Sequence, residues 1–209
     1  MKPEALHRIR SAAHQELARS PSARPWWYDA ALLVAINCGV AIVCALYLGW
    51  PRLLDGSASR PLLVAVAVPV AVVIVLGAVA AVMPGRRAGL ISTLLLAAVA
   101  AAAVVSVTSG TDTGSRFVGG GVRCMRAEWV MAVVPTAGAI AVLSRFAYSP
   151  LRMLVGALSG GATGLLVLHL HCRNVTLPHV VLFHVLPWLA AAGIAVFIRS
   201  RIRSRSFAP

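Results

Sequence analysis

The chain of 209 residues is 59% apolar and only 12% charged, against roughly 45–50% and about 25% in ordinary globular proteins. So little charge cannot cover a soluble surface of this size, which excludes a soluble domain and points to an integral membrane protein. The net charge of +13 is nearly all arginine, a bias that GC-rich coding produces without any functional cause.

In chain order, the first element is a leader over residues 1–28. Leu6, Ile9, Ala13 and Leu17 follow three- and four-residue spacing, with Arg8, Arg10, Gln15 and Arg19 on other faces. This is the pattern of an amphipathic helix, ended by Ser20-Pro21-Ser22. Two uses fit: a surface helix lying on anionic lipid, or a docking helix that offers its apolar stripe to a soluble partner's groove. The leader contains no Cys, so it is not a domain built on a cysteine-ligated zinc. It also carries Glu4 and Glu16 and precedes a run too long for a signal-peptide core, so the first span is expected to be a retained anchor.

Six apolar runs then follow, each near the roughly 20 residues that a helix needs to cross a bilayer: Ala30–Gly49, Leu62–Met83, Ala88–Val107, Glu128–Tyr148, Leu151–His171 and His179–Ile198. Only helices suit runs this long and uniform, because lipid offers no partner to backbone polar groups. The fold class expected is all-α, a polytopic membrane protein with six transmembrane helices over residues 29–198 and a basic tail at 199–209. Pro69, Pro135 and Pro187 inside the runs predict kinks. Gly156, Gly160 and Gly164 recur every fourth residue, the spacing that lets a neighbouring backbone approach one helix face. That neighbour is either another span or a second copy of the chain, so a homodimer is among the expected partners beside the bilayer.

Basic residues set the orientation. With the N-terminus inside, the inner segments carry Lys2, Arg8, Arg10, Arg19, Arg24, Arg86, Arg87, Arg145, Arg152, Arg199, Arg201, Arg203 and Arg205; the outer loops carry Arg52, Arg60, Arg116, Arg123, Arg126 and Arg173. Both termini are therefore expected in the cytoplasm. Trp26-Trp27-Tyr28 and Trp50 fall where the interfaces of the first span belong, while Trp188 lies mid-span. No Asp or Glu is expected well inside a span, since Asp29, Asp55, Asp112 and Glu128 fall at ends or in loops. That counts against a coupled carrier. No intramembrane protease motif is present, and Ser159 with His184 is a weak dyad. The reading is non-enzymatic, without a resident cofactor and without direct nucleic-acid contact.

Cys124, His169, His171, Cys172, His179 and His184 gather near the outer ends of the last three spans. Three chemistries suit them. Cys124 and Cys172 are a candidate redox sensor, through a disulfide or thiolate oxidation. His169, His171, Cys172, His179 and His184 are candidate ligands for a metal or haem, which would make a haem- or metal-handling membrane protein. The third alternative is interfacial side chains with their polar ends in water. Cys38 and Cys44, mid-span, are expected to be packing residues.

The C-terminal half resembles the NrsF-type family of six-span bacterial anti-sigma factors. The resemblance is carried by Cys124, Pro135, Arg145-Phe146-Ala147-Tyr148-Ser149-Pro150, the stretch Gly156-Ala157 through Gly160-Gly161 to Gly164-Leu165, and Leu170-His171-Cys172. It covers about residues 120–200; residues 1–110 agree in span number and placement. Where that family commonly has an acidic residue soon after L-H-C, this chain has Arg173-Asn174, and Phe183-His184 stands at the family's aromatic pair. A looser likeness, of role and span number, is to CarR-type membrane anti-sigma factors of light-induced carotenoid synthesis. The resemblance implies a protein of the bacterial inner membrane that sequesters an extracytoplasmic-function sigma factor. Its leader would bind through Leu6, Ile9, Ala13, Leu17, Arg8 and Arg10. It would release the factor on an exoplasmic redox, metal or photo-oxidative stress signal at Cys124 and Cys172.

Overall fold

The computed structural model describes residues 25–49, 51–54, 59–85, 87–108 and 117–202, with backbone alone at 52 and 53. The six leader residues named above lie outside the described residues, as do Trp50, Asp55, Asp112 and the tail from 203 onward. Among the described residues the fold is made of six long helices, besides a single turn at Pro51–Leu54: α1 Trp26–Leu48, α2 Arg60–Val82, α3 Arg87–Ser106, α4 Phe117–Leu143, α5 Pro150–His171 and α6 Leu177–Arg201. All six are long and apolar enough to span a bilayer, and no strand occurs among the described residues. Pro61, Pro150 and Pro178 lie in the first turns of α2, α5 and α6, where a missing backbone N–H leaves no helical hydrogen bond unmade. Gly49 after α1 and Gly85 between α2 and α3 take positive φ of 73° and 76°, a turn conformation that needs no Cβ.

The core is α5. Buried residues make up 83% of its most apolar stretch, against 17–39% in the other five helices. Small residues permit this. At Gly156 an added Cβ would sit 3.2 Å from Leu143, at Gly160 3.1 Å from the Pro135 carbonyl carbon, and at Gly164 3.1 Å from the Glu128 carbonyl oxygen. The expected glycine face is thus filled by α4 of the same chain, and a second copy would have to use another surface. On other sides of α5, Gly77 of α2 lies against Ser159, and Gly161 leaves room for the Trp188 indole. Trp188 is buried, and its Nε1 donates to Leu158 O at 2.9 Å. Ser159 Oγ donates to Ile74 O (2.6 Å) and accepts from Asn37 Nδ2 (2.9 Å), which engages it in helix packing. The outward faces carry exposed Val, Leu and Ile throughout, as a lipid-facing surface requires.

Two expectations are corrected. The fourth span does not begin at Glu128: α4 starts eleven residues earlier, at Phe117, and ends at Leu143. Its buried positions Gly121, Glu128, Met131, Ala132, Pro135, Ala139 and Val142 continue one three- and four-residue pattern, with Arg123 and Arg126 exposed on other faces. An acidic residue consequently does lie inside a span. Glu128 is about 16 Å along α4 at 1.5 Å per residue and only 1% exposed. The sixth helix also contains a π-helical turn, Val181–Val185, before Pro187.

One end of the bundle is fixed by cations. Arg145 Nη1 pairs with the buried Asp29 of α1 at 3.0 Å. Arg152 Nη2 donates to Met83 O at 3.1 Å. Arg199, 1% exposed, donates to Leu143 O, Phe146 O and Ile202 O at 2.9–3.0 Å. A guanidinium there answers the carbonyls that the end of α4 leaves without helical partners. These contacts gather the start of α1 and α5 with the ends of α2, α4 and α6. The thiols and imidazoles lie at the opposite end.

Candidate thiol–imidazole site

Three segments build the site: the second and third turns of α4, the residue that ends α5, and the first turns of α6. Cys124 and Glu128 are four apart on α4 and share a face. Cys172 caps α5, its N–H bonded to Leu168 O at 2.7 Å. His179 and His184 are five residues apart, which on an α-helix would splay them by about 140° at 3.6 residues per turn. The π turn between them lengthens one turn towards five residues and brings both rings to one face, with centroids 5.2 Å apart.

Cys124 and Cys172 are free thiols with their Sγ atoms 3.6 Å apart. Cys172 Sγ also lies 3.4 Å from His179 Nε2 and 3.6 Å from Asn174 O. Hydrogen bonding from the Cys124 thiol, opposed by burial and helped by His179 and His184, holds the Cys172 thiol below its ordinary value. His184 Nδ1 faces Glu128 Oε2 at 3.6 Å, and among the described residues neither Glu128 oxygen has a hydrogen-bond partner. Glu128 stands where it does because Gly164 of α5 leaves room for its backbone and Cγ. Phe117 and Phe183 close the outer side, at 6.4 Å and 5.4 Å from the His179 ring and 5.3 Å from each other. Phe183 lies directly over Gly121, whose missing side chain makes that approach feasible.

Four potential ligand atoms, from Cys124, Cys172, His179 and His184, lie within 4.8 Å of one another. The structure therefore brings together both candidate sensor cysteines and three of the five candidate metal ligands. His169 and His171 stand outside that group; His169 is buried and lines an adjacent cavity with Cys172 and His184. The cavity holds about 20 Å³, room for one water-sized species and none for a haem. Sequence reasoning missed Glu128 and the π turn. The signal for Glu128 was the spacing Gly121, Cys124, Glu128, Met131, Pro135, which runs through the stretch read as a loop.

Residues 13–203 match the family described as NrsF, negative regulator of sigma F. The chain belongs to the NrsF family. It is also 32% identical over 212 aligned residues to the carotenogenesis protein CarR of Myxococcus xanthus, covering 98% of this chain and 91% of CarR. No solved structure matches it. The family match takes in α1 to α3 as well as the C-terminal half that carries the motif resemblance. It makes the chain a member of a family of negative regulators of a sigma factor, built on six helices that can span a membrane.

Proposed function

We propose that this protein is an anti-sigma factor of the bacterial inner membrane, with both termini cytoplasmic. It holds an extracytoplasmic-function sigma factor on its leader and releases it when Cys124 and Cys172 are oxidised on the opposite side. Leu6, Ile9, Ala13 and Leu17 supply the docking stripe, flanked by Arg8 and Arg10; residues 29–198 form the membrane domain and 199–209 a basic inner tail. The observation that carries the reading is the pair of free thiols 3.6 Å apart, at the bundle end remote from Asp29 in the first turn of α1.

A peroxide-class oxidant balances the step. Each thiol gives up one proton and one electron, an S–S bond forms, the peroxide O–O bond breaks, and water leaves with a second water or an alcohol. Closing to an S–S bond of about 2.05 Å draws the sulfurs together by about 1.5 Å. That movement acts on α4 against α5, an interface packed at Gly156, Gly160 and Gly164 with no slack to absorb it. At its other end α4 leads into Arg145, paired to Asp29 in the first turn of α1, and the leader continues from there. A disulfide contributes about 2–4 kcal/mol, whereas turning a 1:99 equilibrium into 99:1 takes about 5.5 kcal/mol. Oxidation alone is expected to release part of the bound factor.

Full-length protein in detergent tests this by pull-down of the extracytoplasmic-function sigma factors of the same organism. Reduced protein captures one of them; the double variant Leu6→Asp/Leu17→Asp does not. Peroxide lowers capture in the wild type but leaves it unchanged in Cys124→Ser and in Cys172→Ser. Undiminished capture by the double Leu variant removes the docking helix, and a wild-type peroxide response in both Cys variants removes the thiol trigger. A reporter fused before Met1 must lie in the cytoplasm.

A further inference from the structure

We infer that Cys124, Cys172, His179 and His184 bind one divalent cation of the zinc class in tetrahedral geometry. Glu128 orients His184 from outside the coordination shell. The inference deepens the thiol reading above, since both use the same sulfur atoms, but it does not depend on what the leader binds.

The distances already suit an ion. With metal–sulfur bonds of about 2.3 Å and metal–nitrogen bonds of about 2.0–2.1 Å, a tetrahedron sets ligand edges of about 3.75 Å for S–S and about 3.5 Å for S–N. The observed edges are 3.6 Å for Cys124–Cys172 and 3.4 Å for Cys172–His179. Those two edges lie within a few tenths of an ångström of the tetrahedral values; the remaining ligand atoms fall within 4.8 Å of one another, so seating an ion shortens an S–N edge by at most about 1.3 Å. The four residues come from α4, the α5–α6 connection and α6, and the π turn is what turns both imidazoles inward.

The donor set selects the class of ion. Two thiolates and two imidazoles suit a borderline or soft d¹⁰ cation and not Mg²⁺ or Ca²⁺, which take oxygen ligands. Binding displaces the two thiol protons, and a 2+ ion with two thiolates and two neutral imidazoles carries no net charge. A neutral centre is the form least penalised by burial. Glu128 completes the argument. Its carboxylate is buried, has no hydrogen-bond partner among the described residues, and faces Nδ1 of His184. A ligating histidine characteristically donates its other ring N–H to a carboxylate, which leaves Nε2 of His184 for the ion. His179 and His184 are 1% and 4% exposed; two buried imidazoles and a buried carboxylate with so few partners are costly unless something binds between them.

The same sulfurs cannot hold the ion and form a disulfide. Occupancy therefore opposes oxidation, and oxidation expels the ion. The site gains a second input: the ion concentration outside the membrane sets how readily the thiol pair responds to peroxide.

Full-length protein, kept reduced with a non-thiol reductant and loaded with Zn²⁺ alone, tests this by metal content after desalting. One Zn²⁺ per chain is expected, and Co²⁺ in its place should give thiolate charge-transfer and tetrahedral d–d bands. Cys172→Ser and His184→Ala lose the ion; His171→Ala, outside the set, retains it. Glu128→Gln keeps one site but weakens it by about 10–100-fold, an effect that loss of packing alone would not confine to affinity. Zn²⁺-loaded protein forms the Cys124–Cys172 disulfide at least about tenfold more slowly in peroxide than chelator-treated protein, as about 1.4 kcal/mol of protection would give.

No retained ion in monodisperse reduced protein overturns the inference, as does retention undiminished in Cys124→Ser/Cys172→Ser. Should the cysteine variants fail to fold, His184→Ala together with the Co²⁺ spectrum decides it. If no ion binds yet the disulfide still governs capture, the ion site falls and the thiol trigger stands. If Zn²⁺ binds through these four residues yet peroxide response survives both Cys→Ser changes, the trigger falls and the ion site stands.

Discussion

The two ends of the helix bundle are built on opposite principles. At one end Arg145, Arg152 and Arg199 spend their donors on Asp29 and on the carbonyls of Met83, Leu143, Phe146 and Ile202. Cations there meet acceptors that need them, and the result is a clamp. At the other end two thiols, two imidazoles and Glu128 crowd together with long contacts of 3.4–3.6 Å, and both Glu128 oxygens have no hydrogen-bond partner among the described residues. Buried polar groups left in that condition cost stability, so the second end is the less satisfied of the two and the first the firmer. A helix that joins them, α4, belongs to both.

The largest effect is expected at the clamp. Arg199→Ala would strand the carbonyls of Leu143 and Phe146 and is expected to cost about 2–4 kcal/mol, since hydrogen bonds to charged groups contribute about 1.5–3 kcal/mol each in stability series. A falling thermal midpoint in detergent checks it; an unchanged midpoint would mean that water replaces the guanidinium without loss. The next largest effect is expected where the two ends communicate. In Gly164→Ala the new Cβ meets Glu128 Cγ at 3.0 Å and backbone O at 3.1 Å, so α4 must move off α5, at about 1–3 kcal/mol for overpacking. The same change should slow disulfide formation between Cys124 and Cys172, read from mass spectra after peroxide. The smallest effect is expected at the ion pair between α1 and the end of α4. Asp29→Asn removes an ion pair that is half-exposed at Arg145 (47%) and buried at Asp29 (5%), so the loss is expected at about 1 kcal/mol, the upper end for exposed pairs. Stability should fall only slightly, whereas the coupling proposed from the thiols to the leader, read as peroxide-driven release, should weaken.

Most of the fold was legible because five spans are uniform. Leu62–Met83 and Ala88–Val107 were read within two residues of α2 and α3, since nothing in those runs competes with an apolar helix. The start of α4 was not. Gly119-Gly120-Gly121 with Arg123 and Arg126 has the composition of a loop, and only the face-by-face pattern shows a helix with its arginines outward and Gly121 under Phe183. Treating Glu128 as an end residue followed from that misplacement, which hid the carboxylate of the site. Topology alone puts Cys124 and Cys172 at one membrane surface, because both fall at the same ends of adjacent spans; that their sulfurs meet at 3.6 Å comes from the packing of α4 on α5. The exclusion of His169 and His171 was not legible, since a π turn changes which histidines share a face, and Val181–Val185 has no local feature that announces one.

The central position of α5 bears on how the protein is made. Ribosomes deliver it fifth, after four of the helices that surround it have entered the bilayer. Until then Gly77, Pro135 and the rest of its bed face lipid or one another, with Asn37 lacking the hydroxyl it later donates to. Biogenesis must therefore keep a slot open for a late keystone, and chains stalled before residue 150 should be prime substrates for membrane quality-control proteases.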